Sequence, residues 1–281
     1  MPAETVAGRS LPVDVLLATY RADPVWLKAQ VDSIRAQEGV EVNLLCREDE
    51  AGAGAKVNFS ALLAQSTADY VALSDQDDVW LPAKLSASLS KLQVMEREFG
   101  RETPLCVFCD SRLVDGELKD LGRTNVEAQG VDVAAGLRFN RLLMQNFIPG
   151  HSMIFNAALR RKAGTVPPGA MMHDVWLALV AAAFGRIGYV NEPLALYRQH
   201  GRNALGAVGG SRSVAGFRER LAGNERQARA FVERFGAAAP AAARALSDFS
   251  SRGWFARRFT LVRHRLWKHG WRRNVALLLF A

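Results

Sequence analysis

Cysteine is scarce in this chain: Cys46, Cys106 and Cys109 are the only three among 281 residues. Three thiols make neither a disulfide framework nor a four-ligand zinc set. All lie in apolar, strand-like runs, so buried thiols in a reducing compartment are expected. Cys106 and Cys109 stand at C-x-x-C spacing, but no second pair or histidine follows at ligand spacing. Long apolar runs are missing too. None approaches the ~20 residues needed to cross a bilayer, and Met1 to Ser10 has no apolar core of the kind a secretion signal carries. A cytoplasmic location is expected. Internal repeats are absent.

What is present suits a folded chain able to bury a sizeable core, with 49% apolar and 23% charged residues. The net charge of +8 is unevenly spread, because arginines crowd between Arg212 and Arg273 while the first part is nearly balanced. Such asymmetry points to an appendage facing an anionic surface, membrane or nucleic acid. Pro12 to Tyr20 reads as a buried strand, Asp23-Pro24 as a helix start, and Glu41 to Cys46 as a second strand. Helices are expected over Val57 to Gln65, Pro82 to Phe99, a stretch ending at Met144, and about His173 to Phe184. Further strands are expected at Asp69 to Ser74, Leu105 to Cys109, Pro149 to Phe155 and Ile187 to Val190, with a polar loop from Asp110 to Gly130. Strands alternating with helices indicate an α/β domain.

One stretch organises the rest. The apolar run Tyr70-Val71-Ala72-Leu73 ends in Ser74-Asp75-Gln76-Asp77-Asp78-Val79-Trp80, three carboxylates within four residues. A buried strand ending in acids puts negative charge at the carboxyl edge of a sheet, where α/β folds bind ligands. Carboxylates so close repel unless a cation or hydrogen-bond donors hold them. Taken alone, the pattern reads as a solvated acidic turn before it reads as a metal site.

Company changes that balance. Ala18-Thr19-Tyr20 precedes the acidic stretch, and Met172-His173-Asp174-Val175-Trp176 and Leu196-Tyr197-Arg198-Gln199-His200-Gly201-Arg202-Asn203 follow it. In this order the elements resemble glycosyltransferase family 2, with the GT-A fold, and above all its bacterial rhamnosyltransferase-like members. The resemblance runs roughly from Val13 to Gly206. It implies an α/β GT-A domain over residues 11–206, a Rossmann-like mixed sheet with flanking helices, followed by a basic helical extension over 207–281. It also implies an inverting transfer of a hexose, rhamnose among the options, from a dTDP- or UDP-linked donor. The acceptor would be a glycan or lipid-linked precursor of a cell-surface polysaccharide or lipopolysaccharide. By the same resemblance Asp77 and His200 hold a divalent cation, Mg²⁺ or Mn²⁺. Asp75 contacts the ribose or metal-bound water, and Arg198 pairs with phosphate. Thr19, Tyr20 and Asn58 fall on nucleotide-binding elements, and Asp174 is the catalytic base. Asp174 also sits where an N-cap of the following helix would, and both roles can hold at once.

The chain departs from the family between Arg47 and Phe59. Arg47-Glu48-Asp49-Glu50-Ala51-Gly52 stands where the family has an acidic loop that contacts the base, which makes Asp49 the base-contact candidate. Gly54-Ala55-Lys56-Val57-Asn58-Phe59 follows almost at once and resembles a later helix start, so a helix and an edge strand, roughly 20 residues, are missing between. The shortened half leaves open a second reading, a catalytically impaired sugar-nucleotide- or membrane-binding relative. Past Gly206, Trp254 to Phe280 interleaves aromatic residues with arginines. That pattern suits peripheral attachment to the anionic inner face of a plasma membrane or, equally, a tail packed on the domain with its arginines in water. It carries no reader motif, and no nucleic-acid partner is expected.

Overall fold

Nearly continuous burial along β1 (Pro12–Thr19), β3 (Tyr70–Ser74) and β5 (Leu105–Val114) sets up the molecule, a computed structural model that describes residues 11–50, 52–200 and 213–281. Val71, Leu73, Cys106 and Phe108 point to one side of the sheet, and Tyr70, Ala72, Leu105 and Val107 to the other. Successive strand side chains alternate faces, so a strand whose every residue is buried needs cover on both. That cover comes from α1 (Pro24–Arg35) and α3 (Lys84–Phe99), through Ile34, Leu85, Leu89 and Leu92, on one face. On the other lie α2 (Ala55–Gln65) and α8 (His173–Phe184), through Phe59, Leu62, Trp176 and Val180.

The remaining strands are β2 (Glu41–Glu48), β4 (Val79–Trp80), β6 (Asp120–Thr124), β7 (Met153–Asn156) and β8 (Arg186–Arg198). The eight strands run in the order β2-β1-β3-β7-β5-β8-β4, with β6 paired to β5. β1 lies parallel between β2 and β3, β7 is antiparallel to both its neighbours, and β8 is parallel to β5. The remaining helices are α4 (Asn125–Gln129), α5 (Val133–Gly136), α6 (Phe139–Met144), α7 (Ala157–Ala163), α9 (Val214–Phe235), α10 (Ala241–Leu246), α11 (Trp254–Arg263) and α12 (Trp271–Phe280). Asp23 caps α1 as its position ahead of Pro24 predicts, its Oδ1 accepting from Val25 N at 2.9 Å and Trp26 N at 3.2 Å.

The sheet edge agrees with a missing outer unit. β2 is terminal, and among the described residues nothing pairs beyond it. Its open position explains one correction: Cys46 is exposed, whereas Cys106 and Cys109 are buried as expected.

Three other expectations give way. The polar loop from Asp110 is instead the continuation of β5 to Val114 and a hairpin with β6. Asp110 and Ser111 break the apolar pattern, yet both are buried, and Asp115 Oδ1 closes the turn by accepting from Glu117 N and Lys119 N. The short strand at 187–190 extends to Arg198, with Pro193 absorbed at a register shift against Cys109 and Asp110. The single helix ending at Met144 is three short ones. α9 to α12 do not stand apart from the sheet: Phe231, Leu246, Leu261 and Leu277 join the same core as Trp176. The boundary expected at residues 206–207 lies outside the described residues.

Candidate active site

At the carboxyl ends of β1, β2 and β3 opens a cavity of about 1060 Å³. Its lining includes eight of the nine site residues read from the sequence: Thr19, Tyr20, Asp49, Asn58, Asp75, Asp77, Asp174 and His200. Parallel pairing of β1 with β3 (Leu17 opposite Ser74) brings the Thr19-Tyr20 end beside the acidic stretch. Gln76 fastens the two together, its Oε1 accepting from Tyr20 N at 2.7 Å and its Nε2 donating to Tyr20 O at 3.1 Å.

Asp49 spends its carboxylate locally. Oδ1 accepts from Ala53 N at 2.8 Å and Oδ2 from Gly54 N at 2.6 Å, which ties the shortened connection to the start of α2. Gly54 has φ +91°, a left-handed backbone that glycine takes at little cost. Asn58, buried in α2, accepts from Arg47 Nε at 3.0 Å. Arg198 is the ninth residue and does not line the cavity. It is buried, its guanidinium lies 5.2 Å from the Trp26 ring centre and donates to Gly116 O, and its backbone N donates to Asp78 Oδ1 at 3.2 Å.

The carboxylates divide into two groups. Asp77 Oδ2 lies 2.8 Å from His200 Nε2, and both residues face the cavity. Burial and the neighbouring Asp75 push Asp77 above the usual carboxylate range, against the pull of His200. Beside them, Asp75, which also lines the cavity, and the buried Asp78 converge on His151, with one ligand atom from each lying within 4.8 Å of the others. His151 Nδ1 is 3.3 Å from Asp78 Oδ2 and 3.6 Å from Asp75 Oδ2, while its Nε2 is 2.9 Å from Ser111 Oγ. Burial pushes Asp78 up to about 7; His151 opposes this, and Asp75 and Asp77 add to it. For Asp75, burial is outweighed by the adjacent His151 imidazole, and its carboxyl lies below the usual range.

This cluster fits a divalent cation. His151 Nδ1 and Asp78 Oδ2 are buried and have no hydrogen-bond partner, which is costly unless something engages them. Their O/N donor set suits Mg²⁺ or Mn²⁺, and a contact from Ser111 to the far nitrogen is the usual way a ligating imidazole is oriented.

Asp174, which also lines the cavity, stands in the first turn of α8, its Oδ1 accepting from Val175 N at 2.8 Å. Burial holds its carboxyl above the usual range, with His173 opposing. His173 stacks on Phe59 at 3.8 Å between ring centres. Gly150 permits the close approach of β7's leading turn to α8, since a Cβ there would sit 3.2 Å from His173 Nε2. Trp176 is wholly buried and donates to Ala163 O at 3.1 Å, so it packs the core and does not face an acceptor.

No family model matches the sequence. Among curated proteins it is similar to the uncharacterized proteins Rv1520 of Mycobacterium tuberculosis and Mb1547 of Mycobacterium bovis. Each is 29% identical over 150 residues, which is 52% of this chain and 39% of the relative. The chain thus spans about two-fifths of the length of these relatives. Among solved structures, S. aureus TarS 1-349 superposes with a TM-score of 0.52 at 13% identity, over 78% of this chain and 65% of that one. The mannosyltransferase PcManGT of Pyrobaculum calidifontis, in complex with GDP-Man and Mn²⁺, superposes with a TM-score of 0.50 at 15% identity, over 92% and 74%. TarS 1-349 in complex with UDP-GlcNAc gives 0.50 at 12% identity, over 91% and 90%.

The chain has a glycosyltransferase fold. Its site contains residues that motif reading passed over. Asp78 stood in the acidic stretch without a role, and His151, in Pro149-Gly150-His151, was taken only as part of a strand entry. Lys84 is a third. It is wholly buried with its Nζ 3.5 Å from the Trp80 ring centre, and burial pushes it down to about 8 against the pull of Cys109 and Asp78. The available signal for all three was charge inside segments that the apolar pattern buries. Residues 201–206 of the Tyr197-Arg198-Gln199-His200-Gly201 element lie outside the described residues.

Proposed function

We propose that the protein is an inverting, metal-dependent glycosyltransferase. It would move a hexose, rhamnose being one option, from a dTDP- or UDP-linked donor to a glycan or lipid-linked precursor of a cell-envelope polysaccharide. The observation that carries this reading is one cavity lined by Asp75, Asp77, His200 and Asp174 together. The GDP-Man and Mn²⁺ in the PcManGT structure support it.

In this reading the donor diphosphate lies against the acidic wall. Asp77 and His200, with Asp75 and the Asp78–His151 pair behind, would hold the cation. When bound, a divalent cation offsets the charge that grows on the leaving diphosphate. Thr19, Tyr20 and Asn58 would shape the nucleotide end. The carboxylate of Asp174 takes the proton of the acceptor hydroxyl as that oxygen attacks the anomeric carbon from the face opposite the diphosphate, and a single displacement inverts the configuration. Its raised pKa suits a base near neutral pH better than an ordinary aspartate does. Asp49 favours the second reading, an impaired relative, because both oxygens of the base-contact candidate are already engaged by backbone N–H groups.

The two readings separate in a turnover assay. Purified protein with Mn²⁺ is expected to hydrolyse or transfer at least one sugar from a panel of dTDP-, UDP- and GDP-sugars, and to lose that turnover in chelator. Binding without turnover, or no binding of any donor in any metal, would refute the transferase and favour the impaired relative.

A further inference from the structure

The C-terminal helices present an outer surface that the sugar-transfer reading does not use. α11 and α12 are held to the domain through Leu261 and Leu277, and the connection between them through Leu266, all fully buried. Arg258 of α11 donates to Leu278 O at 3.0 Å, to Leu279 O at 3.1 Å and to Ala281 O, so it caps the end of α12, with its guanidinium 4.0 Å from the Trp254 ring centre. A surface helix anchored in this way ordinarily turns polar residues outward.

These two do the reverse. Phe255, Phe259 and Val262, spaced i, i+4, i+7, are 82%, 65% and 56% exposed on α11. Trp271, Val275 and Leu279, spaced i, i+4, i+8, are 71%, 46% and 63% exposed on α12. Two outward apolar stripes on adjacent helices are more than the scattered surface hydrophobes of an ordinary fold. Arg263, Arg265, Arg272 and Arg273 are exposed around them. From Phe249 to Ala281 the chain holds eight lysines and arginines and no aspartate or glutamate.

We infer that α11 and α12 form a docking surface for an anionic lipid bilayer, with the stripes entering the acyl boundary and the arginines meeting the headgroups. Charge decides between occupants. A second copy of the chain would bring Arg263, Arg265, Arg272 and Arg273 against the same four cations, whereas an anionic leaflet complements them. Aliphatic Val262, Val275 and Leu279 offer nothing for a base to stack on, but they suit acyl chains. The helices are short and lie on the protein, so this is attachment in the plane of the interface and not a span; among the described residues no helix is long and apolar enough to cross a membrane. The inference is independent of the sugar-transfer reading.

The full chain would be sedimented with phosphatidylcholine vesicles and with vesicles that also contain phosphatidylglycerol. Binding is expected only with the anionic lipid and is expected to weaken in salt. At about fivefold per basic side chain near the surface, Arg263→Gln with Arg272→Gln should lower partitioning by roughly 30-fold. Phe255→Ser with Phe259→Ser should lower it by tenfold or more while thermal melting stays unchanged, because both side chains are exposed. Tryptophan fluorescence of the unaltered protein should be quenched by brominated acyl chains. Equal binding to neutral vesicles, no binding, no quenching, or self-association that the phenylalanine substitutions abolish would each overturn the proposal.

Discussion

Replacing Asp174 by asparagine separates chemistry from binding. The change keeps the shape of the side chain, and its Oδ1 can still accept from Val175 N, now at 2.8 Å, so α8 keeps its first turn. What disappears is the carboxylate that takes a proton, and a positioned base contributes about 10²–10⁴-fold. The structure also fixes the direction of the pH dependence. Burial raises the Asp174 pKa above the ordinary aspartate value, with His173 and the Val175 N–H pulling the other way. The base works only when ionised, so transfer should fail as pH falls through a value above the usual carboxylate range. In a single-turnover transfer assay, Asp174→Asn should lose two to four orders of magnitude in rate with donor affinity within about threefold. Retention of a tenth or more of the rate, or an unchanged acid limb in Asp174→Asn, would refute the role of Asp174.

Three further outcomes follow from geometry outside the chemistry. Asp14 is buried, and it accepts from Asn43 Nδ2 at 2.8 Å, Ser66 Oγ at 2.7 Å, and Thr67 N and Ala68 N at 3.2 Å, which joins β1 to β2 and to the end of α2. Asp14→Ala should cost about 3 kcal/mol and roughly 6–12 °C in Tm by calorimetry. Burial opposes ionisation of Asp14, but these donors outweigh it and its pKa is lowered. The penalty should therefore be complete above about pH 4, the unfolded value, and shrink as pH falls through the lower folded value; a penalty that grew in acid would contradict the assignment. Asp49→Ala frees the N–H groups of Ala53 and Gly54, both exposed enough to be hydrated, so chemical denaturation should show a loss of only about 1–3 kcal/mol. A far larger loss would mean that Asp49 supports more than the loop. Native thiol titration should find one accessible group, Cys46, and two that react only on unfolding; Cys106, pushed up to about 12 by burial, should be the least reactive.

How much of this was legible in the sequence depended on whether local pattern and tertiary environment agree. β1, β3 and α8 carry apolar runs of the right length and are buried on both faces, so pattern and structure coincide. β5 and β8 outran their apolar segments because Asp110, Ser111 and Pro193 look like loop residues. Their polar groups are satisfied by neighbours that only the folded chain supplies, as when Asp110 Oδ1 accepts from Ser111 N and Val126 N. The sequence-read residues that line the cavity sit at strand ends, as Thr19, Tyr20, Asp75 and Asp77 do, or in the first turns of helices, as Asn58 and Asp174 do, where chain order predicts convergence. Arg198 stands outside the cavity lining, with its guanidinium near Trp26 and Gly116, a placement that a motif does not print because it names a residue and not its direction. His151 was invisible because its partners, Asp75, Asp78 and Ser111, lie 40 or more residues away and come together only through the pairing of β3 and β5 with β7.

The central claim is that the cavity takes a nucleotide diphosphate through a cation on its acidic wall. Titration calorimetry of UDP and dTDP into the protein, with Mn²⁺ and with chelator, tests it most directly. Binding of at least one nucleotide that requires Mn²⁺ and is lost in Asp77→Asn is the predicted result. Nucleotide binding that ignores both the metal and Asp77, or no binding in any metal, would contradict the account.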